Sequence, residues 1–537
     1  MTLRHPGPVW REAMIAGALA ASVAALLLWL GPPGNDLAAH VYQRALFLKH
    51  GFVLWNNFWY AGRYSFVTYS ILYYPLAALL GIKVLALATI AVAALAFAVV
   101  VGQEWGPVAR WSSRTFAVVW AGTVLSAAFP FALGAALALL AVWALQGGHR
   151  RRFVLLVVLT LAASPLAFAF LAILLLGIYL ARRPSLKAVA LPVCVVGLAA
   201  FAELVIVRLF PDGGRFPFHA MELIPVVAFC ALGALVSFGR GRALAGIYIV
   251  YLVACVLAFA VPTALGSNIE RLRYAAIPLA VLSVSLAAWR PLRLAVPLVV
   301  VAGFWNVTPL VANFRHATSD HVAAAPAYWR PAIRFLNRQL APSYRVEAVD
   351  TVEHWPAVFL PDAGIQIVRG WYRQNDFPTN AILYGRFGAA AYRRWLRGVG
   401  VKYVLLSDAP PDYSSRAEAA LVRRGTDWLR PVFHTKHITI YEVQDARPLV
   451  TGPASATIRL VQPTRIFVDV GAPGDYRLAV RFSPYWRTFQ GCVARTEDGM
   501  TRLTAFRAGL IDLDFKVNVH RGLEVLTGLE PARFCRA

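Results

Sequence analysis

Long apolar stretches separated by short polar segments occupy roughly the first 312 residues. Apolar stretches of about 30 to 50 residues lie between successive groups of basic residues, and each is long enough for a helical hairpin across a bilayer. From about residue 313 the pattern changes to short alternating runs and amphipathic helical runs. It predicts a polytopic α-helical membrane domain over 1–312, followed by a globular region.

Groups of basic residues mark cytoplasmic edges of membrane helices. They occur at Arg4/Arg11, Arg110/Arg114, residues 150–152, Arg182/Arg183/Lys187, Arg240/Arg242 and Arg290/Arg293. The intervening turns at 129–134, 164–165, 211–222 and 266–274 are therefore predicted to lie outside. This places the N-terminus in the cytoplasm and the C-terminal region outside the cell membrane.

The apolar run 66–80 (FVTYSILYYPLAALL) affects this topology. If it crossed the membrane completely, every later loop would be inverted and the basic groups would lie outside. We therefore interpret 66–80 as a re-entrant or interfacial helix. The prediction is about eleven crossings plus this segment.

The region after residue 312 is predicted to contain two domains. Residues 313–450 mix β-like runs (YRVEAVD, VKYVLLS, ITIYEV) with helical runs (AAYRRWLRGV, RAEAALVRRG), which predicts an α/β domain. Residues 451–537 contain alternating runs (ATIRLV, RIFVDV, YRLAVRF, DFKVNVH, GLEVLTG) between Gly, Pro and Asp, which predicts a β-sandwich-like domain.

Composition excludes several classes of protein. Of the 537 residues, 59% are hydrophobic and 15% charged, and the mean hydropathy is +0.59. These values exclude a simple soluble enzyme, a disordered chain and a coiled coil. The net charge of +25 comes mainly from basic residues that flank membrane helices, so we infer no nucleic-acid partner.

The five cysteines do not form a metal-binding spacing. Cys194, Cys230 and Cys255 lie in apolar helices and are interpreted as packing residues. Cys492 and Cys535 both fall in the region predicted to face the oxidising side, and we predict a disulfide between them. The alternative is a pair of buried free thiols.

The first outer loop, about 32–65, contains candidate chemistry. Asp36, His40 and Arg44 recur every four residues, on one side of a short helix. An acid, an imidazole and a guanidinium on one face suit proton transfer and anion binding. The alternative is a helix N-cap by Asn35 or Asp36 with a solvated polar face.

A series of motifs runs from this loop into the apolar segment after it: Asp36, His40, Gly51, Trp55–Asn56, Trp59–Ala61–Gly62 and Tyr74–Pro75. Their order resembles the first outer loop of GT-C glycosyltransferases, membrane enzymes that take sugars from polyprenyl-phosphate donors. More narrowly it is similar to bacterial membrane proteins labelled "6-pyruvoyl-tetrahydropterin-synthase-related", which are akin to YfhO-type proteins. The outer turns FPFALG and SPLAF and the segments GVGVKYVLLSD and SPYWRTF also resemble these proteins.

The resemblance implies a transferase in which Asp36 is the general base and His40 orients it or binds the acceptor. It implies a polyprenyl-phosphate-linked sugar as donor, a cell-envelope glycan or glycolipid as acceptor, and a location among the lipids of the bacterial plasma membrane. The loop has no DxD motif, so no cofactor is assigned, and a divalent cation is left open.

A departing lipid phosphate needs cationic partners. The outer turn GSNIERLRY offers Asn268, Arg271 and Arg273, and arginines on an outer edge run against the positive-inside bias. Arg215 is a further candidate. The alternatives are an ion pair with Glu270 or contact with anionic lipid headgroups.

Aromatic and polar side chains in two segments are candidates for sugar binding. The alternatives are an aromatic belt at the membrane surface and packing of a loop on the membrane domain. The candidates are Trp55, Asn56, Trp59 and Tyr60 in the outer loop, with Trp371, Arg373 and Asp376 in the globular region.

The sequence contains no P-loop, GxSxG or HExxH motif, so neither a nucleotide-driven pump nor a serine hydrolase is supported. The favoured function is a glycosyltransferase that faces the exterior. The alternatives are a non-catalytic scaffold or carrier for lipid-linked glycans and a secondary transporter. In an enzyme, Asp36 and the arginines of 266–274 should converge.

Overall fold

The computed structural model describes residues 7–212 and 214–528. Contacts divide these residues into two compact units. The first comprises 7–37, 69–204 and 215–318, and the second comprises 38–68, 205–214 apart from Gly213, and 319–528. The segment 38–68 belongs to the second unit because its aromatic side chains join the core of that unit, as described below.

The first unit is helical. Two 3₁₀ helices, Gly106–Ala109 and Gly266–Ala275, connect longer α-helices. Helix α2 lies mainly in the second unit. In chain order, the α-helices as far as residue 319 are α1 (Gly7–Leu30), α2 (Leu37–His50), α3 (Tyr73–Leu80), α4 (Ile82–Trp105), α5 (Arg110–Ala121), α6 (Thr123–Ser126), α7 (Phe129–Gln146), α8 (Arg150–Ala163), α9 (Pro165–Arg182), α10 (Leu186–Leu209), α11 (Ala220–Ser237), α12 (Arg242–Ala260), α13 (Ala276–Leu286) and α14 (Leu292–Ser319).

Among the described residues, eight helical stretches are long and apolar enough to cross a membrane, by length and composition. They are Gly7–Leu30, Ile82–Ser126, Phe129–Gln146, Pro165–Arg182, Leu186–Leu209, Ala220–Ser237, Arg242–Ala260 and Leu292–Ser319. This confirms a mainly helical, apolar fold, while the count of eleven crossings stays a prediction. Within 66–80 the α-helix is α3, whose eight residues rise about 12 Å and are too short to cross.

The predicted outer turn at 129–134 is wrong. These residues form the first turns of α7, and the chain instead reverses between α6 and α7, where Ala127 has a φ of 51°. Pro130 occupies the first turn of α7, where its fixed φ and missing N–H suit a helix start. The turn at 164–165 is confirmed, since α8 ends at Ala163 and α9 begins at Pro165.

Helices α9 and α12 approach each other to backbone contact through two glycines. A Cβ on Gly177 would lie 2.6 Å from the Cα of Ile247, and one on Gly246 would lie 2.3 Å from the carbonyl oxygen of Gly177. Side chains larger than hydrogen would force the helices apart. The same two helices line the cavities of the candidate site.

The second unit contains three four-stranded sheets and a two-stranded ribbon. Its strands are β1 (Trp55–Asn56), β2 (Arg63–Tyr64), β3 (Arg345–Ala348), β4 (Val401–Ser407), β5 (Leu429–His434), β6 (Ile438–Val443), β7 (Val450–Thr451), β8 (Ala456–Val461), β9 (Arg465–Val470), β10 (Gly474–Arg481), β11 (Trp486–Arg487), β12 (Gly491–Arg495), β13 (Met500–Ala505) and β14 (Gly509–Phe515). Its further helices are α15 (Pro326–Gln339), α16 (Pro356–Asp362), α17 (Arg373–Thr379), α18 (Ala389–Gly398), α19 (Arg416–Arg424) and α20 (Val519–Thr527), with 3₁₀ turns at Ala381–Tyr384 and Tyr413–Ser415.

The first of these sheets has the order β3-β4-β6-β5, in which β3 and β4 are parallel and the other pairs antiparallel. The other two sheets, β12-β13-β10-β7 and β11-β14-β9-β8, are antiparallel and share one hydrophobic core. The C-terminal β-sheet region is thus confirmed. The domain limits at 312/313 and 450/451 stay predictions.

The run GLEVLTG, predicted as a strand, lies instead in α20. The side chain of Asn518 accepts a hydrogen bond from the backbone N–H of Arg521, which caps the helix at its start. Val525 then packs against the sandwich core. Cys492 lies on β12, but Cys535 lies outside the described residues, so their disulfide stays a prediction.

Candidate functional site

The backbone after α1 holds Asp36 against the connection between α6 and α7. The N–H of Asp36 donates to the carbonyl oxygen of Ser126 at 2.9 Å, and the N–H of Asn35 donates to that of Leu125 at 3.3 Å. The side chain of Asn35 also donates to the side chain of Asn313 at 3.0 Å. Because two consecutive residues are fixed in this way, the carboxylate of Asp36 projects from a defined position.

Arg271 is the cation that approaches Asp36. It lies on the 3₁₀ helix Gly266–Ala275, and its Nη2 is 3.6 Å from Oδ2 of Asp36. Both side chains are about one-sixth exposed, at 16% and 17%. The guanidinium also lies 5.5 Å from the ring centre of Phe131 on α7. At 3.6 Å the two groups form an ion pair at a distance too long for a hydrogen bond between them.

Arg271 lines an apolar cavity of about 150 Å³. Helices α4, α5, α7, α9, α12 and α13 supply its wall, and within the described residues Arg271 is the one charged side chain in the lining. Its aromatic lining residues are Phe97, Phe116, Trp120, Phe131, Phe170 and Tyr251. A cationic group in the wall of an otherwise apolar cavity suits an amphiphile with an anionic head and a hydrocarbon tail.

A second apolar cavity, of about 290 Å³, adjoins the first. It contains an ion pair between Glu104 and Arg182 near the ends of α4 and α9. The two cavities share seven lining residues, Phe97, Leu139, Val142, Leu174, Leu244, Ile247 and Leu279. The two cavities together make up an apolar space whose lining includes both Arg271 and the Glu104–Arg182 pair.

Arg273 does not join Asp36 but pairs with Glu270. Its Nη1 lies 3.4 Å from Oε2 of that carboxylate, which is the alternative considered from the sequence. Glu270 is buried, and burial raises its pKa to about 7 although the charge of Arg273 opposes the shift. The segment thus uses one arginine for an internal pair and presents the other to Asp36.

The two remaining phosphate candidates lie on adjoining segments. Asn268 is three residues before Arg271 on the same 3₁₀ helix. Arg215 is exposed. The backbone after it is hydrogen-bonded to the region around the start of that helix: the N–H of Phe216 donates to the carbonyl oxygen of Thr263, and the N–H of Ser267 donates to that of Pro217. Whether either side chain reaches a ligand at Arg271 stays a prediction.

His40 is fully buried on α2, one helical turn beyond Asp36 in the sequence. It belongs to the second unit. Its role in orienting the base or binding an acceptor stays a prediction.

The four loop residues predicted to bind sugar are buried in the second unit. Trp55 and Asn56 are 2% and 0% exposed, and Trp59 and Tyr60 are 0% and 1% exposed. Trp55 stacks on Phe515 with 5.0 Å between ring centres, so it is a core residue of the sandwich. No ring face of these side chains is open to a sugar, and we leave all four out of the proposed site.

Hydrogen bonds explain why the other two aromatic residues are buried. The indole N–H of Trp59 donates to the carbonyl oxygen of Ala357 at 2.9 Å, and the hydroxyl of Tyr60 donates to that of Tyr372 at 2.9 Å. These bonds join segment 38–68 to the region around α16 and α17. A tryptophan or tyrosine is buried at low cost only when its polar atom finds such a partner.

Asp376 and Arg373, predicted to contact an acceptor, lie in an internal charge network. Asp376 is 1% exposed and accepts a hydrogen bond from Nη2 of Arg369 at 2.5 Å. Burial opposes the ionisation of Asp376, but the charges of Arg369 and Arg373 together with hydrogen bonds from Arg369 and Asn380 outweigh it and lower the pKa of Asp376. Arg373 pairs with Asp412 at 2.6 Å. Burial opposes the ionisation of Asp412, but the charge of Arg373 and hydrogen bonds from Ser414 contribute to lowering its pKa to about 2. These groups therefore stabilise the fold of the second unit.

Trp371 is half-buried and packs edge-on against Tyr372. It keeps part of its surface exposed, so a role in acceptor binding stays a prediction for this residue.

The sequence did not point to a charged group beside Tyr372. The buried guanidinium of Arg63 pairs with Asp212 at 2.8 Å and lies 3.8 Å from the ring centre of Tyr372. No local pattern marked this pairing, since its members come from three distant segments.

Within the described residues, no group of three or more His, Cys, Asp or Glu side chains is placed to hold a metal ion. The carboxylate of Asp36 and the guanidinium of Arg271 are the charged pair of the candidate site. The divalent cation left open by the sequence stays untested.

No protein-family model matches the chain, and no curated protein matches it. Solved structures that are similar include arabinofuranosyltransferase AftD from mycobacteria, with a TM-score of 0.46 and 16% identity over 81% of this chain and 40% of AftD. A mutant of AftD gives a TM-score of 0.41 with 14% identity over 94% of this chain and 59% of that chain. ArnT from Cupriavidus metallidurans in the apo state gives 0.38 with 12% identity over 79% of this chain and 97% of ArnT.

The chain thus spans about two fifths of the length of AftD. Because these TM-scores lie below 0.5, a function for the chain has to be argued from its own residues.

Proposed function

We propose that this chain is a membrane glycosyltransferase that transfers a sugar from a polyprenyl-phosphate donor to a glycan or glycolipid acceptor. The observation that carries the proposal is the ion pair between Asp36 and Arg271, since Arg271 also lines an apolar cavity. An anionic head, a hydrocarbon tail and a nearby carboxylate base are what such a donor and its reaction need.

In the proposed reaction, the carboxylate of Asp36 takes the proton from the acceptor hydroxyl as that oxygen attacks the anomeric carbon. The bond from this carbon to the phosphate oxygen breaks, and polyprenyl phosphate departs. Arg271 binds the phosphate, whose negative charge grows during this step. The apolar space whose lining includes Arg271 and the Glu104–Arg182 pair holds part of the prenyl chain. The residues of 266–275 face the exterior of a bacterial plasma membrane in this proposal.

Transfer by the full chain in lipid nanodiscs tests the proposal, with polyprenyl-phosphate-linked sugars supplied as donors. We expect Asp36→Asn to lower the transfer rate by about two to four powers of ten, because it removes the base and keeps the shape. The matched control is Asp427→Asn, which changes an exposed aspartate on the second unit. Full activity of Asp36→Asn would overturn the assignment of the base.

Arg271→Gln is expected to weaken donor binding, whereas Arg240→Gln, which removes an exposed arginine of the first unit, is not. The alternative function is a non-catalytic carrier for lipid-linked glycans, which needs the cavity and Arg271 but not Asp36. Saturable binding of polyprenyl phosphate that depends on Arg271, with no transfer of any supplied sugar, would favour the carrier.

A further inference from the structure

A groove with a volume of about 260 Å³ lies on the second unit, between α15 and the edge strand β5. It is distinct from the cavities at Arg271. Its lining residues are Pro331, Arg334, Phe335, Arg338, Gln339 and Phe433.

Helix α15 presents its arginines as one stripe. Arg330, Arg334 and Arg338 recur every four residues and are all exposed, while Trp329 and Leu336 on the other side are fully buried. Within residues 7–212 and 214–528, none of the three arginines forms an ion pair or a side-chain hydrogen bond. Like charges at this spacing repel one another, so the stripe is destabilising by itself and an anion would relieve it.

Aromatic rings form the other part of the groove. Phe335 stacks on Phe433 with 4.7 Å between ring centres and an interplanar angle of 20°. Phe433 lies on β5, where the register shifts between Pro431 and Phe433. Pro431 has no N–H, and the irregularity disrupts the free edge of the sheet, which discourages pairing with another strand. This edge of the sheet thus suits a ligand that contacts side chains better than one that pairs with the strand backbone.

Further positive charge surrounds this edge. Arg430 on β5 and Lys436 in the turn after it are both exposed. The acidic residue opposite Arg430 in the sheet, Glu442, is paired with Lys402 at 2.7 Å. The local field therefore favours an anion.

We propose that this groove binds an acidic sugar, a residue that bears a carboxylate or phosphate group within a glycan. Arg334 and Arg338 supply planar donors for the anionic group, and Gln339 supplies donors and an acceptor for hydroxyl groups. Phe433 and Pro331 supply apolar surface for the face of the ring. The concave shape and aromatic lining favour a sugar ring over the flat surface of an anionic membrane.

Equilibrium binding to the full chain in neutral nanodiscs tests this proposal without any transfer reaction, so its outcome is independent of the transferase proposal. The probes are trigalacturonate, the neutral trisaccharide maltotriose, inorganic phosphate, and vesicles that contain anionic lipid. We expect saturable binding of trigalacturonate that weakens as salt increases, with no saturable binding of maltotriose.

The variant Arg334→Gln/Arg338→Gln should weaken trigalacturonate binding about tenfold or more, since each arginine makes charge-assisted hydrogen bonds. The matched control is Arg423→Gln/Arg424→Gln, which removes the same charge from exposed positions on α19 and should leave binding unchanged. Phe433→Leu should weaken trigalacturonate binding and leave phosphate binding unchanged, because it removes the ring and keeps the arginines.

Four results would overturn the proposal. They are equal binding of maltotriose by the wild-type chain, an equal loss in the control variant, no saturable binding of trigalacturonate, and binding of anionic vesicles without binding of trigalacturonate. The last result would assign the arginine stripe to a lipid surface. Competition between the two trisaccharides on the wild-type chain gives the same decision if the double variant does not fold.

Discussion

Replacing Asp36 with asparagine is expected to change donor binding and transfer in opposite directions. The carboxylate of Asp36 neutralises Arg271 in the free protein and repels a phosphate that approaches the same arginine. The substitution removes both effects. Polyprenyl phosphate should therefore bind more tightly to Asp36→Asn than to the wild-type chain, even though the variant lacks the base.

The size of the gain follows from the geometry of the pair. Coulomb's law at 3.6 Å with an effective dielectric constant of about 20 gives about 4–5 kcal/mol. Both side chains are about one-sixth exposed, and water screens much of this energy. We expect a net effect of about 1–2 kcal/mol, which corresponds to roughly a 5- to 30-fold gain in affinity.

Titration of polyprenyl phosphate into the full chain in nanodiscs measures this effect. A double-mutant cycle with Arg271→Gln isolates it, because Asp36→Asn should give almost no gain once the arginine is absent. Asp427→Asn serves as the control for a general change in charge. Weaker binding to Asp36→Asn, or an equal gain in the Arg271→Gln background, would refute the proposed geometry.

Two further predictions concern the second unit. Trp55→Ala should destabilise it by about 3–5 kcal/mol, because the ring is 2% exposed and stacked on Phe515. The half-buried Trp371 should tolerate the same change better. Thermal unfolding of the full chain measures both variants, and an unchanged transition in Trp55→Ala would contradict the burial of this ring. Burial raises the pKa of Glu418 to about 7, although the charge of Arg369 opposes the shift. This carboxyl therefore stabilises the fold at low pH and loses that contribution as the pH rises through its folded-state pKa. Glu418→Gln should therefore raise the unfolding temperature by several degrees at pH 8 and little at pH 5, and an equal rise at both pH values would argue against a buried carboxyl that titrates.

Local patterns in the sequence predicted many elements directly. The runs VKYVLLS and ITIYEV coincide with β4 and β6, and ATIRLV and RIFVDV coincide with β8 and β9. The helix predicted at RAEAALVRRG is α19. These predictions succeed because the period of side chains along a strand or helix and the length of an apolar stretch are properties of neighbouring residues.

Other outcomes depended on residues far away in the chain. The aromatic residues of segment 38–68 have the composition of a sugar platform, but Trp55 is buried because β14 supplies Phe515 to stack on it. Composition does not reveal such a partner. Local patterns also failed in the C-terminal region. GLEVLTG alternates like a strand but lies in α20 after the cap at Asn518, and DFKVNVH continues past the end of β14 at Phe515.

In the candidate site, too, some features follow from the local sequence and others depend on residues that are distant in the chain. The sequence by itself identified Asp36 as the acidic residue of the first loop and the arginines of 266–274 as unusual outer cations. Only the tertiary structure decided that Arg271 approaches Asp36 whereas Arg273 pairs with Glu270. Two arginines that are two residues apart are nearly equivalent in sequence, but the 3₁₀ helix points their side chains in different directions, and each then pairs with the carboxylate it meets.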